Sequence, residues 1–196
     1  MNLEKAIQNL EARGFRVTHF ADPEAAAAYL DREIDGGTVG FGGSRTLEAL
    51  GVYERLAKHN RVFWHWKTDP KEARAEAMQA DVYLSSANAI SEDGEILNIA
   101  GSGNRVAGTL FGHRKVYIVA GTNKLCPDFD SALWRARNVA SVQNCARFGK
   151  KTPCQADGKC HDCRSPERIC KALTVLWGPM NGMETEVVLI DAELGM

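Results

Sequence analysis

Apolar residues at Leu3, Ile7 and Leu10, with Ala6 between them, recur at helical spacing and stop at Gly14, which predicts a first amphipathic helix. Phe15 to Phe20 alternates as a short strand. Asp22-Pro23 has the form of an N-cap followed by proline at the first helical position, and the alanine-rich stretch from Glu24 to Ile34 continues it as a helix up to Gly36-Gly37. Thr38 to Phe41 is a short buried strand that runs straight into glycines, and a helical stretch begins at Leu47. Arg61 to Trp66 is expected to be a strand, Asp69-Pro70 opens a helix through Ala80, and Val82 to Ser85 is another strand. Two short apolar runs flank the turn dipeptide Asp93-Gly94 as a hairpin, Lys115 to Ala120 forms a strand, and Asp128 to Arg147 forms a helix. That helix is expected to turn Leu133, Trp134, Ala140 and Val142 inward. Leu173 to Trp177 and Glu186 to Ile190 close the chain as two strands.

Strands alternating with helices predict a three-layer α/β fold: a mainly parallel sheet flanked by helices, with the hairpin near Asp93-Gly94 as its irregular element. A chain of 196 residues with 44% hydrophobic and 25% charged residues suits one globular domain, and no repeat or linker divides it. The formal charge of −1, with both signs interleaved, provides no global field for nucleic acid or an anionic membrane. No apolar run reaches the roughly 20 residues of a membrane helix, and the N-terminal segment is amphipathic and charged rather than a leader, so a cytoplasmic location is expected.

Candidate chemistry collects where strands end. Gly42, Gly43 and Ser44 follow a strand and precede a helix; Asn98, Gly101, Gly103, Asn104 and Arg105 crowd the loop after the hairpin; Asn123 and Lys124 follow the next strand. Carboxyl ends of strands are where open α/β sheets bind ligands, and flexible backbone with exposed donors suits an anion. These residues are therefore expected to line one cleft for a small anionic ligand. Arg105 and Lys124 fall on no apolar stripe, so their replacement by alanine is expected to weaken binding without unfolding the protein. His65, between Trp64 and Trp66, is more simply a hydrogen-bonded residue of an aromatic strand than a catalyst.

Cys154, Cys160, Cys163 and Cys170 are spaced C-x5-C-x2-C-x6-C, with Gly158 for a tight turn and prolines at 153 and 166. In a reducing compartment, four clustered thiols point to a metal centre, and ligation by four cysteines suits either zinc or a 4Fe–4S cluster. His161, Cys145 and Cys126 are the nearest substitutes.

Taken together, GFGGS at Gly40 to Ser44, EDGEILNIAGSGNRVAGTLFG from Glu92 to Gly112, VYIVAGTNKL from Val116 to Leu125 and the tail EVVLIDAELG resemble the lactate-utilisation (LUD) domain family. The resemblance implies a single domain over residues 1–196, with a cysteine-rich segment at 145–170, and a fold similar to ribose-5-phosphate isomerase and the CoA transferases. It also implies an association with oxidation of lactate or a related small acid, in company with iron–sulfur or other redox partner proteins. That context favours the iron–sulfur cluster over zinc. It carries no set of catalytic residues. The broader fold family implies the alternative, a metal-free isomerase- or transferase-like enzyme acting on a phosphorylated or CoA-linked molecule, with Glu95 or Asp93 as its carboxylate.

Overall fold

The structure, a computed structural model, describes Met1–Met196. Helix α1 (Leu3–Ala12) leads into β1 (Arg16–Phe20), α2 (Pro23–Glu33), β2 (Thr38–Phe41), the short helices α3 (Arg45–Ala49) and α4 (Val52–Leu56), and β3 (Arg61–Trp64). Then follow α5 (Pro70–Ala77), β4 (Val82–Ser85), the hairpin β5 (Ala89–Ser91) and β6 (Ile96–Ala100), one helical turn α6 (Asn104–Ala107), and β7 (Lys115–Gly121). A 3-10 turn (Thr122–Lys124) and β8 (Leu125–Cys126) precede α7 (Phe129–Arg135), a π-helical turn (Ala136–Ala140), α8 (Ser141–Arg147) and the single turn α9 (Cys154–Asp157). The chain ends with β9 (Ala172–Leu176) and β10 (Glu184–Ile190).

The six long-range strands form one parallel sheet in the order β1-β10-β7-β4-β2-β3. Period-two alternation decides its layers. Tyr117, Val119, Val188 and Ile190 face a core shared with α2 and the α3–α4 pair, whereas Val116, Ile118, Val187 and Leu189 face a second core. A sheet buried on both faces reads as continuous apolar runs, which is why β7 is buried along its whole length. Helix starts follow from local chemistry: Asp22 Oδ1 accepts from the Ala25 amide at 2.9 Å, and Asp69 and Asp128 cap α5 and α7 in the same way.

The hairpin is a correction to the expected single sheet. β5 and β6 pair with β8 and β9 in a separate four-stranded sheet, β8-β5-β6-β9, in which β9 runs antiparallel to β6. One face of this small sheet packs on α1 and the main sheet through Ile90, Ile96, Leu125 and Leu176, and the other is covered by Ala132 and Ala136. The predicted strand at Arg61 to Trp66 ends at Trp64, since His65 and Trp66 turn away into a loop. The helix predicted through Ala80 ends at Ala77, and the stretch from Leu47 divides at Gly51, which sits at φ +62°.

Chain order and sheet order part company at β2. Its successor β3 lies on one side and β4 on the other, so the connections leaving the carboxyl ends of β2 and β4 diverge and open a crevice between them.

Candidate functional site

That crevice is a cleft of about 750 Å³. Loops after β2, β4, β6 and β7 all reach it, and α8 and the segment around Cys170 close its far side. Of the residues expected to line it, Gly43, Ser44, Gly101, Gly103, Asn104, Arg105 and Lys124 do so. The β2 and β6 loops touch: a Cβ on Gly42 would lie 2.9 Å from Arg105 Cγ, and one on Gly43 would lie 3.0 Å from the Trp66 ring.

Gly42, Asn98 and Asn123 stand outside the cleft lining, each for a bonding reason. Gly42 donates its amide to Leu84 and extends the sheet. Asn98 Oδ1 accepts from the Asn88 amide and the Arg105 guanidinium, and Asn123 Oδ1 accepts from the Leu194 amide at 3.2 Å. Ser44 is spent mostly on its own helix, accepting from the Leu47 amide at 3.1 Å.

The two cations expected to bind the anion line the cleft but are also tied to the protein by internal hydrogen bonds. Arg105 donates to Ser86 O, Asn98 Oδ1, Asn88 Oδ1 and Ile99 O, at 3.2, 2.5, 3.0 and 2.8 Å. Every partner is neutral, and burial pushes its pKa down to about 10. Lys124 is 3% exposed, and its Nζ donates to Thr46 Oγ1 at 2.7 Å and Ser86 Oγ at 2.8 Å. Burial, with the Arg135 and Arg105 charges, pushes its pKa down to about 7. The rim adds Arg45, Arg74, Arg147, Lys150 and Lys171, while Glu167 is the one side-chain carboxylate of the lining. Arg147 stacks on Trp66 and Phe148, 4.9 and 4.0 Å from the ring centroids. The excess of basic over acidic side chains in this lining concentrates anions.

His65 also lines the cleft, and burial followed by the Arg74 charge holds its pKa below the ordinary range. Sequence reasoning missed Ser86, Asn88, Arg74 and Arg147. Ser85-Ser86 at a strand's carboxyl end was a usable signal; the two arginines, lying on helices, had none. Glu95 and Asp93 lie away from the cleft, where Glu95 pairs with Arg13 at 2.5 Å and Asp93 with Lys5 at 3.1 Å.

A second, smaller cavity of about 30 Å³ is lined by Cys154, Cys160, Cys163 and Cys170 together with Cys145. All six cysteines are free, and Cys126 is buried elsewhere, beneath α7 with Ala89 and Leu97. The segment folds back through left-handed Gly158 and Asp162, at φ +73° and +46°. Asn138 Oδ1 accepts from the Cys160 amide, Arg137 points at Cys160 Sγ at 3.6 Å, and Arg168 donates to the Cys163 and Cys170 carbonyls. Burial pushes the Cys145 thiol up to about 11; at Cys154 burial acts in the same sense but is outweighed by hydrogen bonds from Thr152, Gln155 and Cys145, so its pKa falls. No three His, Cys, Asp or Glu side chains converge as they would on a single ion. His161 instead bonds Asp157 at 3.0 Å. The two cavities share Ser141, Arg168, Ile169 and Cys170.

No helix is long and apolar enough to cross a membrane. Among solved structures, the chain is similar to a DUF162 family protein from Deinococcus radiodurans, with 13% identity, 96% of this chain and 95% of that one covered, and a TM-score of 0.58. At that identity the likeness shows the fold. No curated protein sequence matches the chain significantly. The LUD domain profile matches residues 3–190, almost the whole of the chain, and the protein therefore belongs to the LUD domain family.

Proposed function

We propose that this LUD domain protein takes part in the utilisation of lactate or a related small acid, binding the acid in the basic cleft beside an iron–sulfur centre held by the cysteine segment. The observation that carries this reading is the shared wall: Cys170 and Arg168 border both the anion cleft and the cavity of five cysteines. Four thiolates suit either zinc or a 4Fe–4S cluster, and the redox context of the lactate-utilisation family favours the cluster. Arg137 and Arg168 supply positive charge beside an assembly that is net negative with four thiolates. A cavity of about 30 Å³ has room for water, so the segment would open outward to load a cubane, and its lack of regular structure beyond α9 permits that.

Cys154, Cys160, Cys163 and Cys170 would hold the cluster, with Cys145 as a neighbouring thiol. When bound, such a centre accepts and passes single electrons. The chain's own part is to bind and orient the acid. Rim cations draw the carboxylate in, Lys124 stands at the inner end of the cleft, and Trp66 and Phe148 restrict water around Arg147.

The test is anaerobic reconstitution with iron and sulfide, followed by metal and sulfide analysis and electron paramagnetic resonance, on wild type and on Cys160→Ala with Cys163→Ala. About four irons and four sulfides per chain, lost in the double variant, are expected. Stoichiometric zinc in the wild type defeats the cluster, and no metal in either protein defeats the site. Calorimetry with lactate and pyruvate tests the cleft separately.

A further inference from the structure

We propose that Lys124 is a nucleophilic amine that condenses with the carbonyl group of a small 2-oxo acid bound in the cleft. This rests on the small-acid reading of the cleft and is independent of the cysteine cavity. Hydrogen-bond counting carries it. An ammonium has three donors and a neutral amine two donors and a lone pair. Lys124 Nζ donates twice, to Thr46 Oγ1 and Ser86 Oγ. The hydroxyl protons of both are committed elsewhere, Ser86 donating to Thr46 Oγ1 and Thr46 to the Leu194 carbonyl. The pair of bonds matches both N–H groups of a neutral amine, whose lone pair is then free for the cleft that Lys124 lines, whereas the third proton of an ammonium would have no acceptor in the protein.

No side-chain carboxylate bonds Lys124. Charges acting on Lys124 come from Arg105 and Arg135, both cations; the Arg105 donors go to neutral oxygens, and Arg135 donates to the Asn123 and Asn88 carbonyls and reaches the Met196 oxygen at 3.4 Å. A buried ammonium without a carboxylate is costly, and a neutral amine is the species that attacks carbonyl carbon. The tail crosses close above it: a Cβ on Gly195 would lie 3.3 Å from Nζ and 2.6 Å from Thr46 Oγ1. Space at the amine is therefore small, and a compact substrate is favoured.

The charge balance selects the substrate class. Attack forms a C–N bond and, with loss of the carbonyl oxygen as water, gives an imine that is cationic once protonated. Beside Arg105 and Arg135, that cation requires a negative partner, and a 2-oxo acid brings one on the adjacent carbon. A neutral ketone does not.

Wild-type protein is incubated at pH 7 with pyruvate and cyanoborohydride, which adds hydride to the imine carbon and makes the bond permanent, and each lysine is quantified by peptide mass spectrometry. Acetone replaces pyruvate in a parallel sample, and calorimetry measures pyruvate binding without reductant. Lys124 is expected to be modified by pyruvate at least about tenfold more than the rim residues Lys150 and Lys171, because ordinary lysines are almost wholly protonated at that pH. Acetone is expected to give no such preference. Pyruvate binding with Lys124 unmodified overturns the nucleophile and leaves the small-acid reading standing. Neither binding nor modification overturns both, and equal modification by acetone overturns the assignment to oxo acids.

Discussion

Arg105 shows how a single side chain can mislead when seen only in sequence. Flanked by Asn104 and two glycines it has the form of an anion ligand, yet four oxygens from Ser86, Asn88, Asn98 and Ile99 take up its guanidinium. Those acceptors come from two separate segments, the loop after β4 and strand β6, so the residue clamps the hairpin sheet to the end of β4. Arg105→Ala is expected to destabilise the protein by about 2–4 kcal/mol, because it strands buried acceptors as well as removing bonds. Urea unfolding measures this, and a loss under about 0.5 kcal/mol would return Arg105 to the role of an anion ligand without structural weight. Gly40 teaches a related lesson: a Cβ there would sit 2.4 Å from the Ala77 carbonyl oxygen and 2.9 Å from the Tyr83 ring. Gly40→Ala should therefore force β2 and α5 apart, lowering stability by about 1–3 kcal/mol in the same assay.

Among the elements, the long helix foreseen over Asp128 to Arg147 is present but interrupted by the π turn at Ala136–Ala140. Its buried positions are Ala132, Ala136, Ala140, Ser141 and Cys145, so the apolar stripe gains one residue in mid-helix and the phase drifts. Trp134, assigned inward, precedes that turn and is 61% exposed for a simpler reason: it lies midway between buried Ala132 and Ala136, on the opposite face of the helix. The extra residue lets one helix serve two places, directing Arg135 at the Asn88 and Asn123 carbonyls and Cys145 at the cysteine cavity. Deleting Asn138 should restore a regular helix and rotate all that follows by about 100°. Helix content by circular dichroism is then expected to persist while lactate binding falls at least about tenfold, since Asn144 and Arg147 leave the cleft. Unchanged binding would show that the π turn is incidental.

For the molecule as a whole, the main sheet is tied across three strands by Glu186, fully buried on β10. Thr18 and Tyr29 each donate to its Oε1 at 2.6 Å, and Lys115 Nζ lies 2.8 Å from Oε2. Burial works to raise its pKa, but Lys115, Thr18 and Tyr29 together hold it below the ordinary carboxylate range. The contribution is complete above the unfolded pKa of about 4.3 and is lost as pH falls through the lower folded value. Glu186→Gln should therefore be less stable at pH 7 and show a shallower fall in Tm between about pH 5 and 3; parallel curves for the two proteins would remove Glu186 from the acid response. Against this background, sequence alone determined the α/β alternation, the parallel main sheet, the hairpin at Asp93-Gly94 and the grouping of the cysteines. Each is written in local signals such as periodicity, caps, turn dipeptides and close spacing. Tertiary structure alone decided that the hairpin founds a second sheet, that Cys145 joins the cysteine cavity, and that Lys124 is enclosed by Thr46 and Ser86 from distant segments. Burial and hydrogen-bond partnership between segments far apart in the chain have no local signature, and they are what divides a binding cation from a structural one.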